Sequence, residues 1–142
     1  MAFINYSQIV DDAVALLVAN VTSFEKVGRN MATRDYVSSH MPMADVRIRR
    51  VIPALVSQQQ YYVQVQLEIE ICVEDLTSMD AAATIRDGLV SSVQDTFRLN
   101  PRFSSGVDAT ILGEVDLTTD EDKDQGGAVS AALVQVSVFC NI

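Results

Sequence analysis

Residues 62–74 read YVQVQLEIEICVE, and in this stretch apolar and polar side chains alternate without a break. The apolar members are Val63, Val65, Leu67, Ile69, Ile71 and Val73. Because successive side chains of a strand point to opposite faces, this period of two predicts a β-strand. One face of the strand is aliphatic and should cover a core, while the other carries amides and carboxylates.

A second strand is predicted just before it, over residues 46–56. The short connection, residues 57–60, predicts an antiparallel hairpin with its turn at Gln58 and Gln59. This register places Val46 opposite Ile71 on the apolar face. On the polar face it pairs Arg47 with Glu70 and Arg49 with Glu68. We therefore predict ion pairs among these four residues, either within the sheet or between subunits.

The same register exposes a conflict at the next position along the hairpin. It would place Arg50 opposite Leu67, on the face that should be aliphatic. A β-bulge adds one residue to one strand and returns the following side chains to the correct face. A bulge is therefore predicted near Arg50 and Val51.

Two helices are predicted from apolar residues that recur every three or four positions. The first begins after Asn5 or Ser7 and continues to about Val21, and the second begins after Thr77 or Ser78 and continues to Phe97. The stripe assigned to the second helix consists of Met79, Ala82, Ile85, Leu89, Val93 and Phe97. Both helices should pack on the aliphatic face of the sheet.

Residues 107–115 and 131–140 are predicted to be the last two strands. Between them TTDEDKDQGG, residues 118–127, is predicted to be an exposed, mobile loop, and residues 22–44 a long connection. The order is then α-β-β-α-β-β. This order predicts a single α+β domain over residues 1–142, with a mainly antiparallel four-stranded sheet and two main helices packed on one face.

Composition excludes several classes of function. Nineteen acidic against ten basic residues give a formal net charge of −9, which disfavours binding to a phosphate backbone. No apolar run is long enough to span a membrane, and residues 1–7 lack the features of a signal peptide. We therefore expect a protein made in a cytosol, without a membrane partner.

No catalytic, cofactor or metal site is predicted. Cys72 and Cys140 are interpreted as reduced structural thiols, which leaves open a reactive thiol at Cys72, and His40 has no neighbour at metal-ligand spacing. Asp120, Asp122 and Asp124 have the spacing that opens a calcium loop. However, the chain lacks the glycine and the bidentate glutamate that such a loop requires. A solvated charge run is favoured, and binding of some cation in this segment stays open.

The whole chain resembles the tail terminator (tail completion) proteins of long-tailed bacteriophages. The resemblance is carried by the capped helix at residues 7–21, the hairpin at 46–73, the single long helix at 78–97, and two final strands flanking an acidic segment. It implies a non-enzymatic virion protein of the tail or neck, assembled in the host cytoplasm. The implied form is a hexameric ring that contacts the tail tube protein and the head–tail connector protein, while duplex DNA passes through without specific binding.

A channel for DNA should not grip phosphate, so we expect acidic side chains to line it. The candidates are Glu114, Asp116, Asp120, Glu121, Asp122 and Asp124, with residues 68–74 as a second candidate region. Two alternatives stay open. One is another phage neck or tube subunit, and the other is a small-molecule-binding or enzymatic α+β domain with its pocket between the sheet and the second helix.

Overall fold

The computed structural model describes residues 4–31, 41–57, 60–75, 77–122 and 127–141. The elements in chain order are α1 (Tyr6–Asn20), β1 (Lys26–Arg29), β2 (Met43–Ser57), β3 (Gln60–Asp75), α2 (Met79–Leu99), β4 (Val107–Asp122) and β5 (Gly127–Asn141). The strands form one sheet in the order β1-β2-β3-β5-β4. All neighbouring pairs are antiparallel except β1 and β2, which are parallel.

The prediction of a four-stranded sheet is wrong, because β1 adds a fifth strand and makes the sheet mixed. β1 lies inside the segment that was predicted to be a connection. Its four residues, KVGR, are too few to show an alternating pattern, and Gly28 weakens the strand signal further. Backbone pairing with residues 43–46 of β2 holds this strand in place, and Arg29 forms a salt bridge to Asp11 on α1.

The hairpin of β2 and β3 forms, but the predicted register is wrong by two residues over 46–48 and by one residue over 50–55. Val46 lies opposite Ile69, not Ile71, and Arg47 lies opposite Glu68. Two irregularities, between Ile48 and Arg50 and between Leu55 and Ser57, each add one residue to β2. Residues 46–48 are therefore shifted by two and keep their predicted face. Residues 50–55 are shifted by one, which places Val51 opposite Val65 on the core face and Ile52 opposite Gln64 on the other face. The predicted turn at Gln58 and Gln59 lies outside the described residues.

The core lies between the sheet and the two helices. Val65, Leu67 and Ile69 of β3 are fully buried, as are Val134, Val136 and Val138 of β5. The alternation therefore points its aliphatic side toward the helices, as predicted. The helices begin at the expected polar caps: the side chain of Asn5 accepts a hydrogen bond from the backbone of Gln8, and Ser78 accepts one from Ala81.

The buried stripe of α2 is rotated from the predicted one. Ala82, Leu89, Val93 and Phe97 are buried, but Met79 and Ile85 are about 40% exposed. Arg86, which was predicted to lie off the stripe, is buried instead. Its Nη1 donates to the carbonyl of Thr118 at 3.2 Å, and its Nη2 lies 2.9 Å from the Asp87 carboxylate. The helix therefore turns this face toward β4, a strand longer than the sequence pattern indicated.

The prediction of a mobile loop over residues 118–127 is wrong for most of its length. β4 continues to Asp122 and β5 begins at Gly127, with Thr118 paired to Ala131 and Asp122 paired to Gly127. A ladder of backbone hydrogen bonds does not depend on apolar side chains, so the hairpin extends into a charged sequence. Residues 123–126 lie outside the described part of the chain.

Candidate assembly interface

The face of the sheet opposite the helices is called here the open face. Most of its side chains are the polar members of the alternating pattern and are only partly buried, but Met43, Asp45 and Cys72 at one end of it are buried. The central rows are Gln64, Gln66, Glu68 and Glu70 on β3 and Leu133, Gln135, Ser137 and Phe139 on β5. One hydrogen bond links the two rows, from Nε2 of Gln64 to Oγ of Ser137 at 3.0 Å. No helix in the described part of the chain packs on this face.

One guanidinium and three carboxylates form a cluster on the open face, called here the Arg47 cluster. Arg47 Nη1 lies 2.8 Å from Oδ2 of Asp45, and Nη2 lies 3.2 Å from both Oε1 of Glu68 and Oε2 of Glu70. The Asp45 side chain is fully buried, and its Oδ1 accepts a hydrogen bond from the backbone N–H of Met31 at 3.0 Å. The cluster keeps an excess of two negative charges.

The environment of the cluster shifts the pKa of Arg47 and that of the adjacent Cys72 thiol. Burial acts to lower the pKa of Arg47, but hydrogen bonds and charge from Glu70, Asp45 and Glu68 outweigh it, so the pKa is raised. Burial, followed by the negative charge of Glu70, raises the pKa of the adjacent Cys72 thiol to about 12. Burial also raises the pKa of Cys140. A thiol that stays protonated at neutral pH is a poor nucleophile.

The structure brings together only some of the residues predicted to form ion pairs. Arg47, Glu68 and Glu70 meet within one subunit, whereas Arg49 is the extra residue of the bulge and is exposed. Arg49 makes no ion pair with any residue that the structure describes. Sequence reasoning missed Asp45, although its position two residues before Arg47, on the same strand face, was an available signal.

The acidic candidates fall into three groups. Glu114 lies in an irregularity of β4 between Leu112 and Val115, and Asp116 lies opposite Leu133 on the open face; both are exposed. The backbone of residues 120–122 belongs to β4, and so includes Asp120, Glu121 and Asp122. Asp124 and the sole histidine, His40, lie outside the described residues. The structure thus places Asp116 at the same level of the open face as Glu70, with Leu133 of β5 between the two residues.

Two stretches of strand have a neighbour on one side only, as far as the described residues go. β4 is the last strand of the sheet and pairs with β5 alone. β1 covers only residues 43–46 of β2, so residues 47–57 pair with β3 and with no other described strand. Exposed strand edges of this kind are places where another chain can add to a sheet. Three exposed apolar side chains lie on these edges: Val51, Ile111 and Leu117.

Two small cavities lie beside α1, away from the open face. One, of about 170 Å³, is lined by residues that include Asn5, Gln8 and Ser105. The other, of about 200 Å³, lies between Tyr6, Arg29 and neighbouring residues. The space between α2 and the sheet, where a ligand pocket was the alternative hypothesis, contains buried aliphatic side chains and Phe97.

Other tests for a site gave negative results within the described ranges. Residues 4–31, 41–57, 60–75, 77–122 and 127–141 contain no group of three or more His, Cys, Asp or Glu side chains that could hold a metal ion. In the same ranges no helix combines the length and apolar character needed to cross a membrane. Comparison with models of known protein families, and with curated proteins, found no match to this chain.

Proposed function

We propose that the chain is a non-enzymatic virion structural protein that forms a ring, caps the tail tube and joins it to the head–tail connector. The proposal follows the resemblance to tail terminator proteins. The observation that carries it is the open face: a wide sheet surface whose polar and charged side chains face away from the subunit's own helices. A face of this kind is suited to line a channel or to contact another subunit.

The charge of the open face supports a channel for DNA. Arg47 is neutralised by Asp45, Glu68 and Glu70, and Asp116 adds a further carboxylate to the same face, on the far side of β5. Together with the net charge of −9 per copy, this gives a surface that repels the phosphate backbone. DNA can then slide past the ring without being held. A bore lined instead by Arg47, Arg49 and Arg102 would contradict this part of the proposal.

Native mass spectrometry of the purified protein tests the ring. We expect a dominant species of six copies, and electron microscopy of the same sample should show rings with a central opening. The rings should also bind the ends of isolated tail tubes of the virus that encodes the protein. A monomer at micromolar concentration in this experiment would contradict the proposal.

A further inference from the structure

We propose that copies of this chain join by continuing one sheet into the next, with β4 of one copy placed beside residues 47–52 of β2 in its neighbour. This inference rests on the proposed ring. It specifies which surfaces of neighbouring copies meet, the relative direction of their strands, and the charged residues that attract each other across the contact. The occupant of each strand edge that the described residues leave unpaired is therefore a second copy of this chain.

The two edges carry opposite charge. β4 contains six acids and no Lys or Arg: Asp108, Glu114, Asp116, Asp120, Glu121 and Asp122. Residues 46–57 of β2 contain no acid and three bases: Arg47, Arg49 and Arg50. Arg47 is already neutralised by the carboxylates of its cluster, so Arg49 and Arg50 carry the positive charge that this edge offers to a neighbour. Opposite potentials of this kind favour contact between unlike edges and oppose contact between like edges.

The opposite charges also lie at the same level along the strand direction. Arg47 pairs with Glu68, which pairs with Gln135, and the β4 irregularity that contains Glu114 lies beside Gln135. Arg50 is level with Ile111 through Gln66 and Ser137, by the same ladder of partners. Sliding two copies together edge to edge therefore brings Arg49 and Arg50 next to the segment from Ile111 to Asp116.

The strand directions fit this arrangement. β4 runs antiparallel to β2 within one subunit, since β2 and β5 share a direction and β4 opposes β5. A neighbour related by rotation about an axis along the strands therefore presents β2 antiparallel to β4. When this rotation is repeated, the open faces of all copies point to the same side of the ring wall. The contact joins two different surfaces and is therefore heterologous, as a closed ring of more than two copies requires.

Irregular positions on both strands limit how a neighbouring copy can pair with these edges. Pro53 has no N–H to donate, so it limits the segment of β2 that a neighbour can use to residues 47–52. On β4 the irregularity between Leu112 and Val115 interrupts a regular ladder. Such features restrict uncontrolled strand addition. Burial of Val51 and Ile111, which are 39% and 57% exposed in the single subunit, adds an apolar contribution to the contact.

Reciprocal charge reversal tests the contact. The basic-edge variant combines Arg49→Glu with Arg50→Glu, and the acidic-edge variant combines Glu114→Lys with Asp116→Lys. All four side chains are exposed, so both variants should keep the wild-type circular dichroism spectrum. Each variant alone should need about 100-fold more protein to form rings, because its two edges now carry the same charge. Arg98→Glu, on the exposed side of α2, is the control and should assemble as the wild type does.

An equimolar mixture of the two variants gives the decisive result. In the mixture every edge finds an edge of opposite charge, so rings in which the two variants alternate should form again and should be visible by mass. Rings formed by each variant alone, or a mixture that stays monomeric, would overturn the proposed edge contact. Neither result would contradict the proposal that the wild type forms a ring. A monomeric wild type would overturn the proposed ring and the contact with it. If a reversal alters the spectrum, Arg49→Gln with Arg50→Gln replaces it, and an unchanged assembly midpoint would again overturn the contact.

Discussion

At Arg47 one guanidinium serves three carboxylates, and one of them, Asp45, has no exposed side-chain surface. A buried carboxylate is tolerated only when opposite charge and hydrogen bonds offset its lost hydration. The cluster therefore has a structural role in the subunit, whatever the open face contacts. Arg49, two residues along the same strand, has no such environment. The two arginines form a natural comparison.

We expect Arg47→Met to lower the free energy of unfolding by about 3 kcal/mol, because it leaves Asp45 without the nearest cation. Arg49→Met is the matched control and should change that free energy by less than about 0.5 kcal/mol. Urea unfolding followed by circular dichroism measures both. Equal changes in unfolding free energy for the two substitutions would show that the Arg47 cluster does not stabilise the folded subunit.

Cys72 gives a dependence of stability on pH. The pKa of its thiol is raised from 9.0 to about 12 in the folded chain, chiefly by burial. The protonated thiol therefore makes its full contribution to the unfolding free energy below the pKa of the unfolded chain. That contribution is lost as pH rises through the higher pKa of the folded chain. Between pH 9 and about 12 the unfolding free energy should fall by at most about 1.4 kcal/mol per pH unit from this group.

Cys72→Ala isolates that effect, because other groups also titrate in alkaline solution. The difference in unfolding free energy between the wild type and this variant should change with pH above 9, to the disadvantage of the wild type. Rapid alkylation of Cys72 in the folded protein at pH 8 would contradict the assignment.

Among the elements, β3 and α2 were predictable and β1 and the end of β4 were not. In β3 each of the residues 62–74 repeats the same signal, because one face packs on helices and the other does not. β1 is too short to repeat any signal, and the outer part of β4 is held by backbone pairing in a charged sequence. The register of β2 failed because each bulge adds one residue, which shifts the pairing by one and turns the side chains on one side of the bulge to the opposite face.

Two glycines in different elements should respond to alanine in opposite ways. Gly88 lies in the interior of α2 with open space where a Cβ would be added, so Gly88→Ala should raise the unfolding free energy by about 0.5–1 kcal/mol. At Gly113 on β4, an added Cβ would lie 3.1 Å from Cβ and 3.2 Å from the carbonyl oxygen of Gln135.

We expect Gly113→Ala to lower that free energy, since the carbonyl belongs to the backbone of β5 and cannot rotate away. Thermal and urea unfolding of both variants measure the sign of each change in unfolding free energy. Stabilisation by Gly113→Ala would mean that β4 can move away from β5 at little cost.

On the scale of the whole molecule, charge is unevenly distributed across the sheet: basic side chains gather near β1 and β2, and acidic ones along β4. The sequence allowed the acidic candidates to be named, but it could not show that Arg49 and Glu114 lie on opposite edges. That relation depends on the strand order β1-β2-β3-β5-β4. The last strand in the chain, β5, lies inside the sheet, and β4 lies at its edge. The Arg47 cluster was partly predictable, because strand alternation puts Arg47, Glu68 and Glu70 on one face.

The net charge of −9 leads to an expectation for DNA. The protein should not retard linear duplex DNA in a gel at roughly 10 μM protein and about 0.15 M salt, where nonspecific binding depends on neutralising phosphates with basic side chains. A basic protein of similar size is the positive control. Retardation that weakens as salt is added would show that the arginines of β2 bind phosphate.

The bulge at Arg49 also affects how the gene can vary. Within the regularly paired parts of β2, losing a single codon would turn every later side chain to the opposite face of the sheet, and a loss before Val51 would make Val51 and Ile52 exchange faces. At Arg49 the same loss removes only the unpaired residue and leaves a regular ladder with all other facings intact. With Val56, the extra residue of the second irregularity, the strand therefore has two positions at which its length can change by a residue while the hydrophobic interior stays in phase.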